Sequence, residues 1–213
     1  MMDPDEVRAR LDAARLYLVT GGRGGGAVLH EFLDAVLDGG VDVVQLREKR
    51  LEAGPILELA EIFRERADKH GVPFIVNDRA DLALAARADG VHLGQEDLPV
   101  AEARRVLGRY AIIGRSTHDP EQLRRALTED VDYVAVGPVH ATPTKPGRPP
   151  AGIDLVRLAA AEANKPWFAI GGIAPATIGE VVEAGARRVV VVRAITESED
   201  PGEAARSLRV ALG

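Results

Sequence analysis

Eight short apolar runs recur along the chain: LYLV (16–19), VDVVQL (41–46), FIV (74–76), GVHL (90–93), AIIG (111–114), YVAVG (133–137), WFAIG (167–171) and RVVVV (188–192). They are rich in β-branched residues and nearly continuous. That is the pattern of strands covered on both faces, as in a parallel sheet. Between them the apolar spacing changes to three and four residues. AVLHEFLDAVLDGG (27–40), GPILELAEIFRERADKHG (54–71), DPEQLRRAL (119–127) and APATIGEVVEAGA (174–186) therefore read as helices. Asp119 with Pro120 is an N-cap followed by proline at the first helical position, and Gly185 is a C-cap. A further helix, from Pro4 to Ala14, precedes the first strand and is suited to plugging the bottom of the sheet.

Alternating strands and helices require a parallel sheet with right-handed crossovers. Eight such units without a linker or a composition break predict an α/β chain folded as a single-domain (β/α)8 TIM barrel over residues 1–213, with the short N-terminal helix at about 4–14. The alternative is an open doubly wound sheet.

Composition narrows the function. With 46% hydrophobic residues the chain can bury a proper core, and a net charge of −6 argues against general nucleic-acid binding. An anion site must then be a local cluster of cations. Absence of cysteine excludes disulfides and thiolate chemistry and fits a cytoplasmic protein. The N-terminus is acidic and broken by charge, so it does not read as a signal peptide, and no apolar stretch is long enough for a membrane span. Monomer and homo-oligomer are both left open.

One motif misleads. Gly22-Arg23-Gly24-Gly25-Gly26-Ala27 matches G-x-G-x-x-A between a strand and a helix, which alone suggests a dinucleotide site. The second strand, however, ends in Gln45-Leu46-Arg47-Glu48-Lys49, where cations flank the one carboxylate that a ribose would need. The glycine run reads instead as a flexible first βα loop.

In a barrel of this kind the site is built from the C-terminal strand ends and the loops that follow. The second strand brings Gln45, Arg47 and Lys49, which point the same way in an extended segment and make an anion site. The third brings Asn77 and Asp78. The fourth leads through His92, which reads as a core histidine, to Gln95, Glu96 and Asp97. Each aspartate has a simpler reading as a cap, Asp78 for a helix near Asp81 and Asp97 for one near Pro99. Together, facing Arg47 and Lys49, they are what a Mg²⁺–diphosphate needs, because Mg²⁺ takes one or two protein carboxylates and fills its shell with water and phosphate oxygens. From Ser116-Thr117-His118 one hydroxyl is free for the site and another for capping the next helix. Gly171-Gly172-Ile173 and Val192-Arg193-Ala194-Ile195 end the last two strands, where this fold usually cradles phosphate. The inventory implies a diphosphate with metal near strands two to four and a monophosphate near strands seven and eight.

Six motifs then converge. VQLREK (44–49), VNDRADLA (76–83), GVHLGQEDLP (90–99), GRSTH (114–118), VGPVHATPTKPGR (136–148) and FAIGGI (168–173) resemble the thiamine-phosphate synthase family in order and spacing, from Leu16 to Ile195. The resemblance implies a Mg²⁺-dependent enzyme with two small phosphorylated substrates. It would join a hydroxymethylpyrimidine diphosphate to a hydroxyethylthiazole phosphate, releasing thiamine phosphate and pyrophosphate. By the same resemblance Gln45, Leu46, Arg47, Glu48, Lys49 and Asn77, with Ser116 and Lys145, would bind the pyrimidine diphosphate. Asp78 and Asp97 would hold Mg²⁺, and Thr142, Pro143, Thr144, Gly172, Val192 and Arg193 would take the thiazole phosphate. Arg47, Lys145 and Ser116 would be catalytic.

Two positions depart from the family pattern: Arg193 stands where a small hydroxyl residue is usual, and His140 where an aromatic is common. Arg148 has no assigned role. The alternatives are a thiazole tautomerase of the same fold and a non-catalytic barrel that binds a phosphorylated ligand. A tautomerase would carry a catalytic histidine directly after the glycine of the sixth-strand motif, where this chain has Pro138. A mere binder would lack the metal carboxylates or the loop lysine, and all are present.

Overall fold

The structure is a computed structural model that describes residues 2–142 and 149–213. In chain order its elements are α1 (Pro4–Ala13), β1 (Leu16–Thr20), α2 (Gly26–Asp38), β2 (Val43–Leu46), α3 (Ala53–His70), β3 (Phe74–Asn77), α4 (Ala80–Ala85), β4 (Gly90–Leu93) and α5 (Val100–Leu107). There follow β5 (Ile112–Thr117), α6 (Pro120–Thr128), β6 (Tyr133–Val136), α7 (Gly152–Glu162), β7 (Trp167–Ile170), α8 (Ile178–Glu183), β8 (Val189–Val191), α9 (Arg193–Thr196) and α10 (Pro201–Ala211). All eight strands are parallel and pair in sequence order, and β1 closes on β8 through Leu16–Val189, Tyr17–Val190 and Leu18–Val191. The expected (β/α)8 barrel is the observed one, and the open sheet is excluded.

The continuous apolar runs now have their reason: both faces of every strand are covered. Leu16, Leu18, Val44, Leu46, Val134, Val136, Val189 and Val191 face outward and pack under the helices. The alternate positions Tyr17, Val43, Ile75, Ile112, Tyr133, Phe168 and Val190 fill the barrel interior. Three interior rings, Tyr17, Tyr133 and Phe168, meet edge to face at 5.5–5.8 Å between centroids. Val7 and Leu11 of α1 join this interior cluster, so the helix stoppers the end from which the strands begin.

At that end a device repeats. Asp42, Asp89 and Asp132 each stand one residue before an even-numbered strand and reach back to the preceding odd one. Asp42 accepts from the N–H groups of Arg15 and Leu16 at 2.8 and 2.9 Å. Asp89 accepts from Phe74 at 2.7 Å and Asp132 from Ile113 at 2.8 Å. An arginine from a surrounding helix faces each: Arg209 at 3.6 Å, Arg64 at 2.8 Å and Arg104 at 3.0 Å. The position before β8 is Arg188, which donates instead to Asp12 O at 2.8 Å.

Helix starts follow local rules where the residues allow. Asp3, Asp119 and Asp200 each accept N-cap bonds, and each is followed by proline at the first helical position. Three expectations change. The helix placed at 174–186 is shorter, because Ala174 to Thr177 form a turn. Asp78 and Asp97 cap nothing: Arg79 and Pro99 hold the N-cap positions of α4 and α5. Thr117 caps nothing either, because β5 runs on through it and its hydroxyl donates to Ala135 O at 3.0 Å.

Candidate active site

The polar strand ends open onto two adjoining cavities at the C-terminal mouth. The first, of about 230 Å³, is lined by Arg47, Lys49, Asn77, Asp78, His92, Gly94–Asp97, Ser116 and His118. It is dominated by charge. The second, of about 390 Å³, has an apolar floor of Pro138, Ala141, Ile170, Ile173, Val190 and Val192. Its polar rim carries Thr142, Gly171, Gly172, Arg193 and Glu197. Ser116 and His118 line both cavities and so form the wall between them.

In the charged cavity the two aspartates are held close by different means. Asp78 has a left-handed backbone (φ 65°), a conformation that an aspartate tolerates better than most residues. Its N–H donates to His92 O across the β3–β4 pair, turning the side chain into the mouth. Asp97 Oδ2 accepts from Gly94 N–H at 2.6 Å, and Arg115, buried beneath, donates to Gly94 O at 2.7 Å. Burial raises the Asp78 pKa, and the neighbouring Asp97 carboxyl raises it further; Lys49, whose Nζ lies 2.9 Å from Asp78 Oδ2, opposes both. Two carboxyls pressed together against the cost of their mutual repulsion are a receptacle for a cation. Among the described residues no cluster of three or more acidic, histidine or cysteine side chains could hold a metal, so oxygen donors from solvent or ligand must complete the shell. That donor set fits a hard cation such as Mg²⁺. Beside it Asn77 Nδ2 is buried without a hydrogen-bond partner, a donor left for a ligand.

The other residues of the second strand end divide. Arg47 lines the cavity, and its N–H is fixed to Thr20 O at 2.8 Å. Gln45 is buried and donates to Tyr17 OH, while Leu46 points into the outer core. Glu48 Oε1 accepts from Gly22 N–H at 2.7 Å, so the carboxylate that a nucleotide reading would have used secures the glycine loop. Across the mouth Arg23 donates to Thr196 O at 2.9 Å, tying the same loop to α9.

The second cavity depends on how the chain leaves β6 and β7. Val139 and His140 donate to Ile170 O and Gly171 O at 2.8 and 3.0 Å, so the start of the sixth loop continues the sheet. Gly171 has φ +104°, and a Cβ there would lie 2.5 Å from Pro138 Cα. Gly171→Ala is accordingly expected to lower stability by about 1–3 kcal/mol, read as a lower denaturant midpoint at unchanged slope. Gly172 and Val192 line the cavity; Arg193 reaches its rim but is paired with Glu197 at 2.8 Å. His140 faces Glu180 at 3.3 Å. Pro143, Thr144, Lys145 and Arg148 lie outside the described residues.

The closed parallel barrel, with its cavities and charge gathered at the C-terminal mouth, is the architecture of a (β/α)8-barrel enzyme. Comparison narrows the class. The sequence pattern of the thiamine monophosphate synthase family matches residues 16–195, and the chain belongs to that family, transferases of thiamine biosynthesis. It is 54% identical over its full length to the thiamine-phosphate synthase of Saccharopolyspora erythraea, covering 99% of that protein. It is 56% identical to that of Thermobifida fusca, with 96% of this chain and 95% of that one aligned. The solved structure of thiamine phosphate pyrophosphorylase from Pyrococcus furiosus superposes with a TM-score of 0.85 at 30% identity, covering 96% of each chain. A 3-hexulose-6-phosphate synthase shares the fold at 20% identity and a TM-score of 0.62.

Proposed function

We propose that this chain joins 4-amino-2-methyl-5-hydroxymethylpyrimidine diphosphate to hydroxyethylthiazole phosphate, with the charged cavity taking the first substrate and the apolar one the second. The observation that carries the reading is the pair of cavities of opposite character sharing the Ser116–His118 wall. A diphosphate suits Arg47, Lys49 and the unpartnered Asn77 amide. A thiazole ring suits the apolar floor, with its phosphate toward Thr142, Gly172, Val192 and Arg193. Pro143, Thr144 and Lys145 extend these two sets on the strength of the family resemblance.

The chemistry asks for no protein nucleophile. The C–O bond to the diphosphate breaks with its electron pair leaving on pyrophosphate, and the aminopyrimidine stabilises the methylene cation that remains. The thiazole nitrogen lone pair then forms the new C–N bond. Arg47 and Lys145 stabilise the charge that collects on the departing oxygens, and Ser116 holds the pyrimidine at the shared wall. Asp78 and Asp97 would hold Mg²⁺, which when bound neutralises diphosphate charge. The reading includes a cytoplasmic location, in keeping with a chain without cysteine. Among the described residues no helix is long and apolar enough to cross a membrane.

Incubation with both substrates and Mg²⁺ is expected to yield thiamine phosphate and pyrophosphate. No product, together with tautomerisation of a thiazole carboxylate phosphate, would replace the reading by the tautomerase alternative. The metal assignment makes its own prediction. Asp78→Asn and Asp97→Asn are each expected to raise the Mg²⁺ concentration for half-maximal rate by at least about tenfold. Because the Asp78 pKa is raised, protons compete with the cation, and in the unmutated protein the requirement should grow as pH falls. An unaltered metal dependence in both variants would remove the aspartates from the metal site.

A further inference from the structure

A line of side-chain hydrogen bonds crosses the barrel interior and ends at the wall between the cavities. Gln45 Nε2 donates to Tyr17 OH at 2.6 Å, and the Tyr17 and Tyr133 hydroxyls are 2.9 Å apart. Tyr133 OH lies 2.9 Å from His92 Nδ1, and His92 Nε2 lies 2.8 Å from Ser116 Oγ. The five residues come from β2, β1, β6, β4 and β5, and all are buried. Space for the central ring is reserved by Gly114, where a Cβ would stand 2.1 Å from Tyr133 Cζ.

The line has a direction. A phenol offers one proton, and burial raises the pKa of both tyrosines, so neither gives that proton up. The Gln45 amide donates to the Tyr17 oxygen, so the Tyr17 proton goes to Tyr133 and the Tyr133 proton to His92 Nδ1. Nδ1 is then the bare ring nitrogen, and the single imidazole proton sits on Nε2, aimed at Ser116 Oγ. Ser116 accepts from inside the barrel, which leaves its own proton to be donated into the cavities it lines.

We propose that Tyr17 and Tyr133 are positioning residues: they fix the tautomer of His92 and thereby hold Ser116 as a hydrogen-bond donor toward the pyrimidine substrate. The proposal rests on the reading that Ser116 contacts that substrate. Turning the Gln45 amide over would reverse every link, move the ring proton to Nδ1 and commit the Ser116 proton to His92.

Two measurements on the full chain test it. The first is ring ¹⁵N NMR of His92, assigned by comparison with His92→Gln. The expected spectrum shows the Nε2–H tautomer in the unmutated protein and a mixture of tautomers in Tyr133→Phe. The second is a double-mutant cycle. Ser116→Ala is expected to lower kcat about a hundredfold. Tyr133→Phe should lower it roughly tenfold with KM for the thiazole phosphate unchanged. In the Ser116→Ala background Tyr133→Phe should cost nothing further. Tyr17→Phe, one link earlier, provides the same comparison if Tyr133→Phe does not fold. Additive losses in the double variant would mean that the tyrosines merely support the core, and the Nδ1–H tautomer in the unmutated protein would reverse the line; either overturns the proposal. Full activity of Ser116→Ala would instead overturn the role given to Ser116 itself, and the proposal with it.

Discussion

Arg47→Ala is expected to lower kcat by about 10²–10³-fold while KM for the thiazole phosphate stays within about twofold. The split follows from position. Arg47 lines the charged cavity and not the apolar one, so it can act on the leaving diphosphate without touching the second substrate. A guanidinium also presents paired donors that match phosphate oxygens, which the neighbouring Lys49 does not, being engaged with Asp78 at 2.9 Å. Arg47→Lys should therefore recover only part of the rate. Lys145→Ala is expected to give the same signature from the sixth loop. Steady-state kinetics with each substrate varied in turn would check both, and a rise in thiazole phosphate KM at constant kcat would show that the charges had been assigned to the wrong substrate.

The largest expected effect on stability lies at the opposite end of the barrel. Asp89→Ala should destabilise the fold by about 2–4 kcal/mol, which for a chain of this size lowers Tm by roughly 4–16 °C. The Asp89 side chain is 4% exposed and that of its partner Arg64 is 8% exposed. Removing the carboxylate leaves the buried guanidinium, beside Phe74, with Asp68 at 2.8 Å as its remaining counter-ion, and it also deprives the Phe74 N–H of its acceptor. Asp89→Asn keeps an acceptor for that N–H and should lose less. Below its lowered melting temperature, Asp89→Ala should retain normal kinetic constants, because the clasp is a barrel's length from the mouth. Thermal unfolding of the three proteins, with assays at low temperature, would settle the point; equal stability of Asp89→Ala and the parent would show that the ion pair contributes nothing net.

Much of this was legible in the chain itself. Every strand was visible as an apolar run because a barrel strand is buried on both faces, and the mouth residues followed once the strand ends were known. The third and fourth strand ends brought Asp78 and Asp97 together as expected. What the pattern hid has physical causes. Tyr17 and Tyr133 look like ordinary core aromatics, and only their register across β1 and β6 brings the hydroxyls within 2.9 Å. His92 reads in sequence as a core residue; it is buried, yet it lines the charged cavity. The strand-start aspartates stand in apolar surroundings, as in VDVV, ADGV and VDYV, and pair with groups 15 to 27 residues earlier, beyond the reach of any local rule. Asp-Pro, by contrast, is a local signal, and it marked a true helix start at all three of its occurrences as a cap.

The three aspartate clasps also bear on the order in which the fold assembles. Each joins residues 15 to 27 apart, a contact that a partly folded chain can make early. The bond from Arg188 to Asp12 spans 176 residues, and loop closure at that length costs about 2 kcal/mol more than at the length of a clasp. The barrel is thus prepared as strand pairs already pinned at their starts, and the β1–β8 seam is the joint left for last. Mutations in the clasps should slow folding, whereas mutations at the seam should chiefly speed unfolding.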